Sequence, residues 1–256
     1  MMKNVGLCSV SFRGLPPEKI IQLVKKSALG CIEWGGDIHV PASDLERAAK
    51  IGSLSRQNGI LCPSYGSYYH FDEFEAFESE SDCADVLGAK IIRVWAGKKD
   101  SEQYSEEEFF RLVQMIRKCA RYADKHGQEI AFEYHYQTYC NTPESTAKLL
   151  AEVDEKNVGT YWQPDYWHTF SSEDERIREN IRAIHILRDK ILNIHVYQWR
   201  GMNRFPLLDG KEEWETYLRL VPSGYRYLEF FKNDTIEQFE SDAGTLCEIE
   251  QKTSKN

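Results

Sequence analysis

No apolar run in this 256-residue chain approaches the roughly 18 residues that a membrane span needs. The opening MMKNVGLCSV lacks the charged-then-apolar layout of a secretory signal. None of the seven cysteines stands in CxxC spacing, and their number is odd, so neither a disulfide framework nor a structural zinc site is expected. A reducing, cytoplasmic setting fits that pattern. Basic residues are in deficit, 32 Lys and Arg against 41 Asp and Glu, and the formal charge of −9 repels phosphate backbones. Neither a nucleic-acid nor a membrane partner is therefore expected. No GxGxxG turn follows the first strand-like run, which removes the usual signature of a dinucleotide-binding open sheet.

What is present is alternation. Strand-like runs are expected at Asn4–Phe12, 31–36, 60–66, 90–97, 129–135, 158–165, 191–199 and 225–231. Each is followed by a helix-like stretch. Pro16-Pro17 and Thr142-Pro143 open two of these helices, where a missing N–H costs little. In SEEEFFRLVQMIRKCARYADKHG the apolar residues Phe109, Leu112, Met115, Ile116 and Ala120 fall at helical spacing, and Gly127 supplies a C-cap. Eight strand–helix pairs, with no linker and no low-complexity stretch, predict one α/β domain over residues 1–256. The regular count favours a closed (β/α)8 TIM barrel over an open doubly wound sheet. The C-terminal TSKN is expected to fray.

Four side chains recur at one kind of position in this pattern. Glu133 in IAFEYH, Asp165 in WQPDYWH, His195 in ILNIHVYQW and Glu229 in RYLEFF stand 32, 30 and 34 residues apart, near the ends of four successive strands. In a barrel such ends converge on one mouth, where active sites lie. Strand alternation puts Glu133 on one face with Ala131 and His135. A buried carboxylate is costly unless it is paired or metal-bound. Taken singly, each residue has a plain structural explanation: a hydrogen-bonded core histidine, or a glutamate at a sheet edge. A closed barrel has no edges, however, and four exceptions at one end point to a shared site. Two Glu, one Asp and one His suit one divalent ion: Mn²⁺, Mg²⁺, Co²⁺ or Zn²⁺.

Over nearly its whole length the chain resembles the xylose isomerase-like TIM barrels, the sugar (phosphate) isomerase/epimerase group. The resemblance is carried by GCIEWGGDIHVP, GAKIIRVWAG, IAFEYH, QPDYWH, NIHVYQWR, FPLLDGKEEW and YLEFF. It implies that Glu133, Asp165, His195 and Glu229 hold the metal. It also implies that His168, from a D-x-x-H block starting at Asp165, touches a substrate oxygen, and that Arg200 grips substrate hydroxyls. The implied chemistry is proton transfer beside a carbonyl of a sugar, inosose or sugar phosphate, with Glu133 and Glu229 as acid and base and the ion stabilising an enediolate. Isomerisation or epimerisation is the expected outcome. A dehydratase of a cyclic polyol ketone or a dehydroshikimate-like acid is the alternative, because the same enolate can expel a β-hydroxyl. A homodimer or homotetramer fits the group.

Weaker candidates surround that quartet. His135, Trp95 and His70 are expected near the substrate, each with packing as the competing explanation. Gln163 shares the face of Asp165 and is expected to orient that ligand. Glu33 lies in strand 2, and Asp37 and His39 follow it; Glu33 is a candidate to face the mouth, with a salt bridge or loop brace as the competing explanation. A repair endonuclease is disfavoured by Trp95-Ala96-Gly97 at the end of strand 4, which offers no extra metal ligand. A non-catalytic sugar-binding relic is disfavoured by the intact ligand residues.

Overall fold

Helix starts follow local chemistry. Pro17 opens α1 (Pro17–Lys26), and Asp44 caps α2 (Leu45–Gln57) by accepting from the Arg47 N–H at 2.9 Å. Helix α3 (Phe74–Leu87) ends on Gly88 in the left-handed region, which a glycine occupies without a Cβ clash. Ser105 and Glu108 form a capping box at the head of α4 (Glu106–Lys125), and Thr142 with Ser145 does the same for α5 (Pro143–Val153). Ser172 caps α6 (Glu173–Leu187). Helices α7 (Lys211–Leu220) and α8 (Ile236–Thr253) complete the set.

The computed structural model describes residues 1–221 and 223–253. Its eight parallel strands are β1 (Met2–Cys8), β2 (Leu29–Gly35), β3 (Ser64–Gly66), β4 (Ile91–Val94), β5 (Glu129–Glu133), β6 (Val158–Trp162), β7 (Ile191–Val196) and β8 (Tyr225–Leu228). Strand β1 pairs with both β2 and β8, so the sheet closes on itself. The fold is a (β/α)8 TIM barrel. Among the described residues no helix is long and apolar enough to cross a membrane.

Several strands are shorter than alternation alone suggests. Strand β1 stops at Cys8, and Ser9–Phe12 turn as a 3-10 helix rather than extending the strand. Strand β3 covers only Ser64–Gly66, because Pro63 has no N–H to give the ladder; Leu61 keeps one isolated bridge to Cys31. Strand β6 ends at Trp162, two residues before Pro164. A small antiparallel hairpin, Trp199–Arg200 with Asn203–Arg204, was not expected. Of the segment expected to fray, Thr253 closes α8, and residues 254–256 lie outside the described residues.

Alternation also sorts the strand residues. Ile92, Phe132, Trp162, Ile194 and Leu228 face outward into the layer shared with the helices. Cys31, Ala131, Tyr161 and Tyr227 fill the barrel interior. Two residues further along each strand, the same inward parity presents Glu33, Arg93, Glu133, Gln163, His195 and Glu229, all buried. Polar groups therefore form the layer just below the mouth. Gly66 makes room for them: a Cβ there would lie 2.8 Å from Arg93 Nη2 and 3.0 Å from Glu33 Oε1.

Candidate active site

His195 is the centre of the polar layer and is fully buried. Three oxygens surround its Nδ1: Gln163 Oε1 at 3.2 Å, Glu229 Oε2 at 3.4 Å and Glu133 Oε1 at 3.5 Å. Its Nε2 looks the other way, toward Glu33 Oε1 at 3.5 Å. Glu33 is itself fixed, accepting from Ser64 Oγ at 2.9 Å and from the Tyr161 hydroxyl at 2.7 Å. Arg93 bridges the two strand carboxylates, with Nη1 on Glu133 Oε2 at 2.8 Å and Nε 3.5 Å from Glu33 Oε1. Trp95 Nε1 donates to the same Glu133 oxygen at 2.6 Å.

These partners drive the two glutamates apart. Burial opposes ionisation of Glu133, yet Arg93 and His195 outweigh it and hold the carboxyl well below the usual range. Burial opposes ionisation of Glu229 as well; His195 relieves this only in part, Glu133 adds repulsion, and the carboxyl stands above its usual range. Burial would depress the His195 ring, but Glu229, Cys8 and Glu133 raise it. A pair of carboxyls with opposed shifts is the arrangement that separates acid from base roles.

The donor set suits a divalent cation. Oxygen and nitrogen ligands at about 2.0–2.3 Å from an ion stand roughly 3 to 3.7 Å from one another, and the three contacts to Nδ1 fall in that interval. The carboxylate facing the opposite ring nitrogen is the usual support for a metal-ligating histidine. Among the described residues, the His, Cys, Asp and Glu side chains whose donor atoms all lie within 4.8 Å of one another are Cys8, His195 and Glu229, and burial pushes the Cys8 thiol up toward its neutral form. Glu133 reaches the cluster through His195 Nδ1.

Above this layer opens a pocket of about 280 Å³. Glu133, Gln163, Glu229 and Arg93 line its floor, while Tyr68, Trp95, Tyr136, Tyr166, Tyr197, Trp199 and Phe230 line its wall. The aromatic wall and polar floor suit a small, ring-sized polar ligand. Trp95 and His135, both expected near substrate, line it and stack on each other at 5.1 Å. His70 packs edge-on against Trp95 and holds the Gly97 carbonyl at 2.8 Å, behind the wall.

The structure brings Glu133, His195 and Glu229 together and leaves Asp165 outside. Asp165 Oδ1 accepts from the backbone N–H groups of Trp167 and His168, both at 3.0 Å, and Oδ2 lies 2.5 Å from His168 Nδ1. The carboxylate serves its own loop. The ladder ends at Trp162, so strand pairing does not set the direction of residue 165. Gln163, expected only to orient Asp165, stands beside His195 in its stead. His168 and Arg200 share a second pocket of about 400 Å³ with Asp165, rather than the central one. Arg200 Nε lies 3.2 Å from Glu173 Oε1. In the loop after β2, Asp37 pairs with Arg13, and His39 hydrogen-bonds Ser9 Oγ and the Leu15 carbonyl. Arg93 and Tyr161 join the site in addition to the residues expected from the sequence. Arg93 carried a legible signal, a charge inside the apolar run KIIRVW at the inward parity of Trp95. Tyr161, an aromatic among aromatics, carried none.

The family model of xylose isomerase-like TIM barrels matches residues 21–245. The chain belongs to that family. Among its curated relatives, this xylose isomerase-like barrel is 36% identical over 164 residues to a 3-dehydroshikimate dehydratase of Bacillus anthracis. That match covers 60% of the chain and 59% of the relative, so less than two thirds of the relative's length is spanned. An inosose dehydratase of Geobacillus thermodenitrificans is 23% identical over 218 residues, covering 80% of the chain and 70% of the relative. Solved structures share the fold. The probable 3-DHS dehydratase of Bacillus anthracis involved in petrobactin synthesis superposes with a TM-score of 0.79 at 21% identity, covering 96% of this chain and 99% of that one. A D-psicose 3-epimerase solved in the presence of D-fructose gives 0.72 at 16%, covering 98% and 99%. A Mycobacterium smegmatis xylose isomerase-like barrel in complex with magnesium gives 0.72 at 13%, covering 99% and 98%.

Proposed function

We propose that this protein enolises a small polyhydroxylated ketone, a sugar or a cyclic polyol, by moving a proton beside the carbonyl. The observation that carries this reading is the placing of two buried carboxyls beside His195 Nδ1 in one small pocket, Glu133 paired with Arg93 and Glu229 without such a partner among the described residues. The opposed shifts of the two carboxyls agree with it. Glu133 takes the α-proton. Arg93 and Trp95 keep its second oxygen occupied, so the base has one free edge toward the pocket. Glu229 carries the proton that is delivered. The aromatic wall packs against the apolar face of the ligand and excludes water. A positioned acid or base contributes about 10²–10⁴-fold each. Glu133, His195 and Glu229 would hold a divalent ion, which when bound supplies a Lewis acid for the carbonyl oxygen.

Delivery of the Glu229 proton to carbon yields an isomer or epimer, the outcome expected from the sequence. Delivery to a β-hydroxyl yields loss of water. The second outcome is favoured by the names of the two curated relatives, both dehydratases. The test is incubation in D₂O, with Mn²⁺ or Mg²⁺, of a panel of ketoses, inososes, their phosphates and 3-dehydroshikimate. Deuterium in a product of unchanged formula identifies the isomerase or epimerase, and loss of water identifies the lyase. Glu229→Gln is expected to lower turnover at least about 10²-fold while the fold is kept. Unchanged turnover in that variant, or neither exchange nor product across the panel, overturns the reading.

A further inference from the structure

Gln163 is oriented in a way its neighbours leave no freedom to change. Its side chain is 1% exposed, on the inward parity two residues after Tyr161. Its Nε2 donates to the Tyr134 carbonyl at 2.8 Å, so the amide nitrogen is spoken for and the oxygen must face the opposite way. That oxygen is the group 3.2 Å from His195 Nδ1. Asp165, by contrast, spends both carboxylate oxygens on Trp167 and His168 within its own turn.

We propose that Gln163, and not Asp165, supplies the fourth protein donor of a divalent-cation site completed by Glu133, His195 and Glu229. The inference rests on the reading of this pocket as a metal-assisted enolising site. The amide oxygen takes the place next to His195 that a carboxylate would otherwise fill. The ring presents Nδ1 to the site while Nε2 lies 3.5 Å from Glu33 Oε1, the side from which a carboxylate supports a metal-ligating imidazole. A neutral amide leaves the site two carboxylates instead of three. One of these, Glu133, already shares its charge with Arg93. A hard ion depends most on ligand charge, whereas imidazole favours the later divalent metals. The site should therefore rank Zn²⁺ and Co²⁺ above Mn²⁺, and Mn²⁺ above Mg²⁺.

The test is calorimetric titration of metal-free protein with MnCl₂ and ZnCl₂, with no substrate present. Wild type is expected to bind one ion. Gln163→Leu should weaken Mn²⁺ binding at least about tenfold, and Gln163→Asp should tighten it by about tenfold through the added charge. Asp165→Asn should leave it within about threefold of wild type, and thermal unfolding of each metal-free variant establishes that it is folded. Should Gln163→Leu not fold, the gain in Gln163→Asp together with retention in Asp165→Asn decides the matter. Binding lost in Asp165→Asn but kept in Gln163→Leu overturns the proposal. So does binding that Gln163→Leu leaves intact and Cys8→Ser abolishes, and so does a wild type that takes up neither ion. The D₂O panel separates the two conclusions. Exchange without involvement of Gln163 leaves the enolising function standing alone, whereas binding through Gln163 with no exchange leaves the ion site standing alone.

Discussion

Arg93 is the residue on which the charge balance of the pocket turns. The residue is 2% exposed, and its guanidinium faces two buried carboxylates, Glu33 and Glu133. Removing one member of a buried ion pair leaves the partner charge uncompensated, at a cost of about 3–5 kcal/mol. Arg93→Met is therefore expected to lower unfolding free energy in urea by about 3 kcal/mol or more. Adding Glu133→Gln should recover part of that loss, because the stranded charge goes with it. A single variant as stable as wild type would show that the two carboxylates simply protonate. At this scale the sequence was legible where the backbone is paired in a strand and less so just beyond it. Glu133, His195 and Glu229 follow from strand parity and from the oddity of charge in apolar runs. The Asp165 expectation placed it on the Gln163 face across Pro164, where the strand has already ended. Arg93 carries the same oddity as Glu133, a charge inside an apolar run.

Among the elements, β3 is the one packed closely against the polar layer of the pocket. Its three residues have the side chains of Arg93 and Glu33 lying against Gly66, where a Cβ would stand 2.8 and 3.0 Å from their polar atoms. Gly66→Ala is expected to destabilise by about 1–3 kcal/mol, the usual range for overpacking. It should also weaken Mn²⁺ uptake, because the displaced Arg93 no longer holds Glu133. Urea denaturation and metal titration on the same preparation read both effects; an unaltered titration would detach β3 from the site. Two helix starts were legible at Pro16-Pro17 and Thr142-Pro143, because terminal prolines and caps are local signals. Strand ends were less so. Pairing partners and prolines decide where a ladder stops, and the hairpin that carries Trp199 into the pocket has two-residue strands too short to show a period.

For the whole molecule, pH sensitivity is expected from groups outside the barrel mouth. Burial pushes the Glu80 carboxyl of α3 up to about 7 and the Asp242 carboxyl of α8 up to about 6. A carboxyl raised in the folded state stabilises fully below its unfolded value, near 4.5 for Glu and 3.8 for Asp, and loses that contribution as pH rises through the folded value. Glu33, lowered to about 2 by His195, Arg93 and Tyr161 against its burial, acts in the opposite sense, and only in more acid solution. Unfolding free energy should accordingly decline between about pH 5 and pH 7.5. Glu80→Gln should flatten the decline in a urea series across that window, and an equal slope in the variant would assign it to other groups. The closed barrel itself was legible from the count and period of strand-like runs, since eight units of regular length leave few other ways to bury every strand.

Tyr166 stands between the central pocket and the outer one that holds Asp165, His168 and Arg200, lining both. Two chambers that share one aromatic ring as a wall are thermodynamically linked to the extent that the ring turns. A molecule in the outer chamber that biases the ring toward one rotamer changes the room left for a ligand in the inner chamber. The inner ligand returns the same free energy to the outer one.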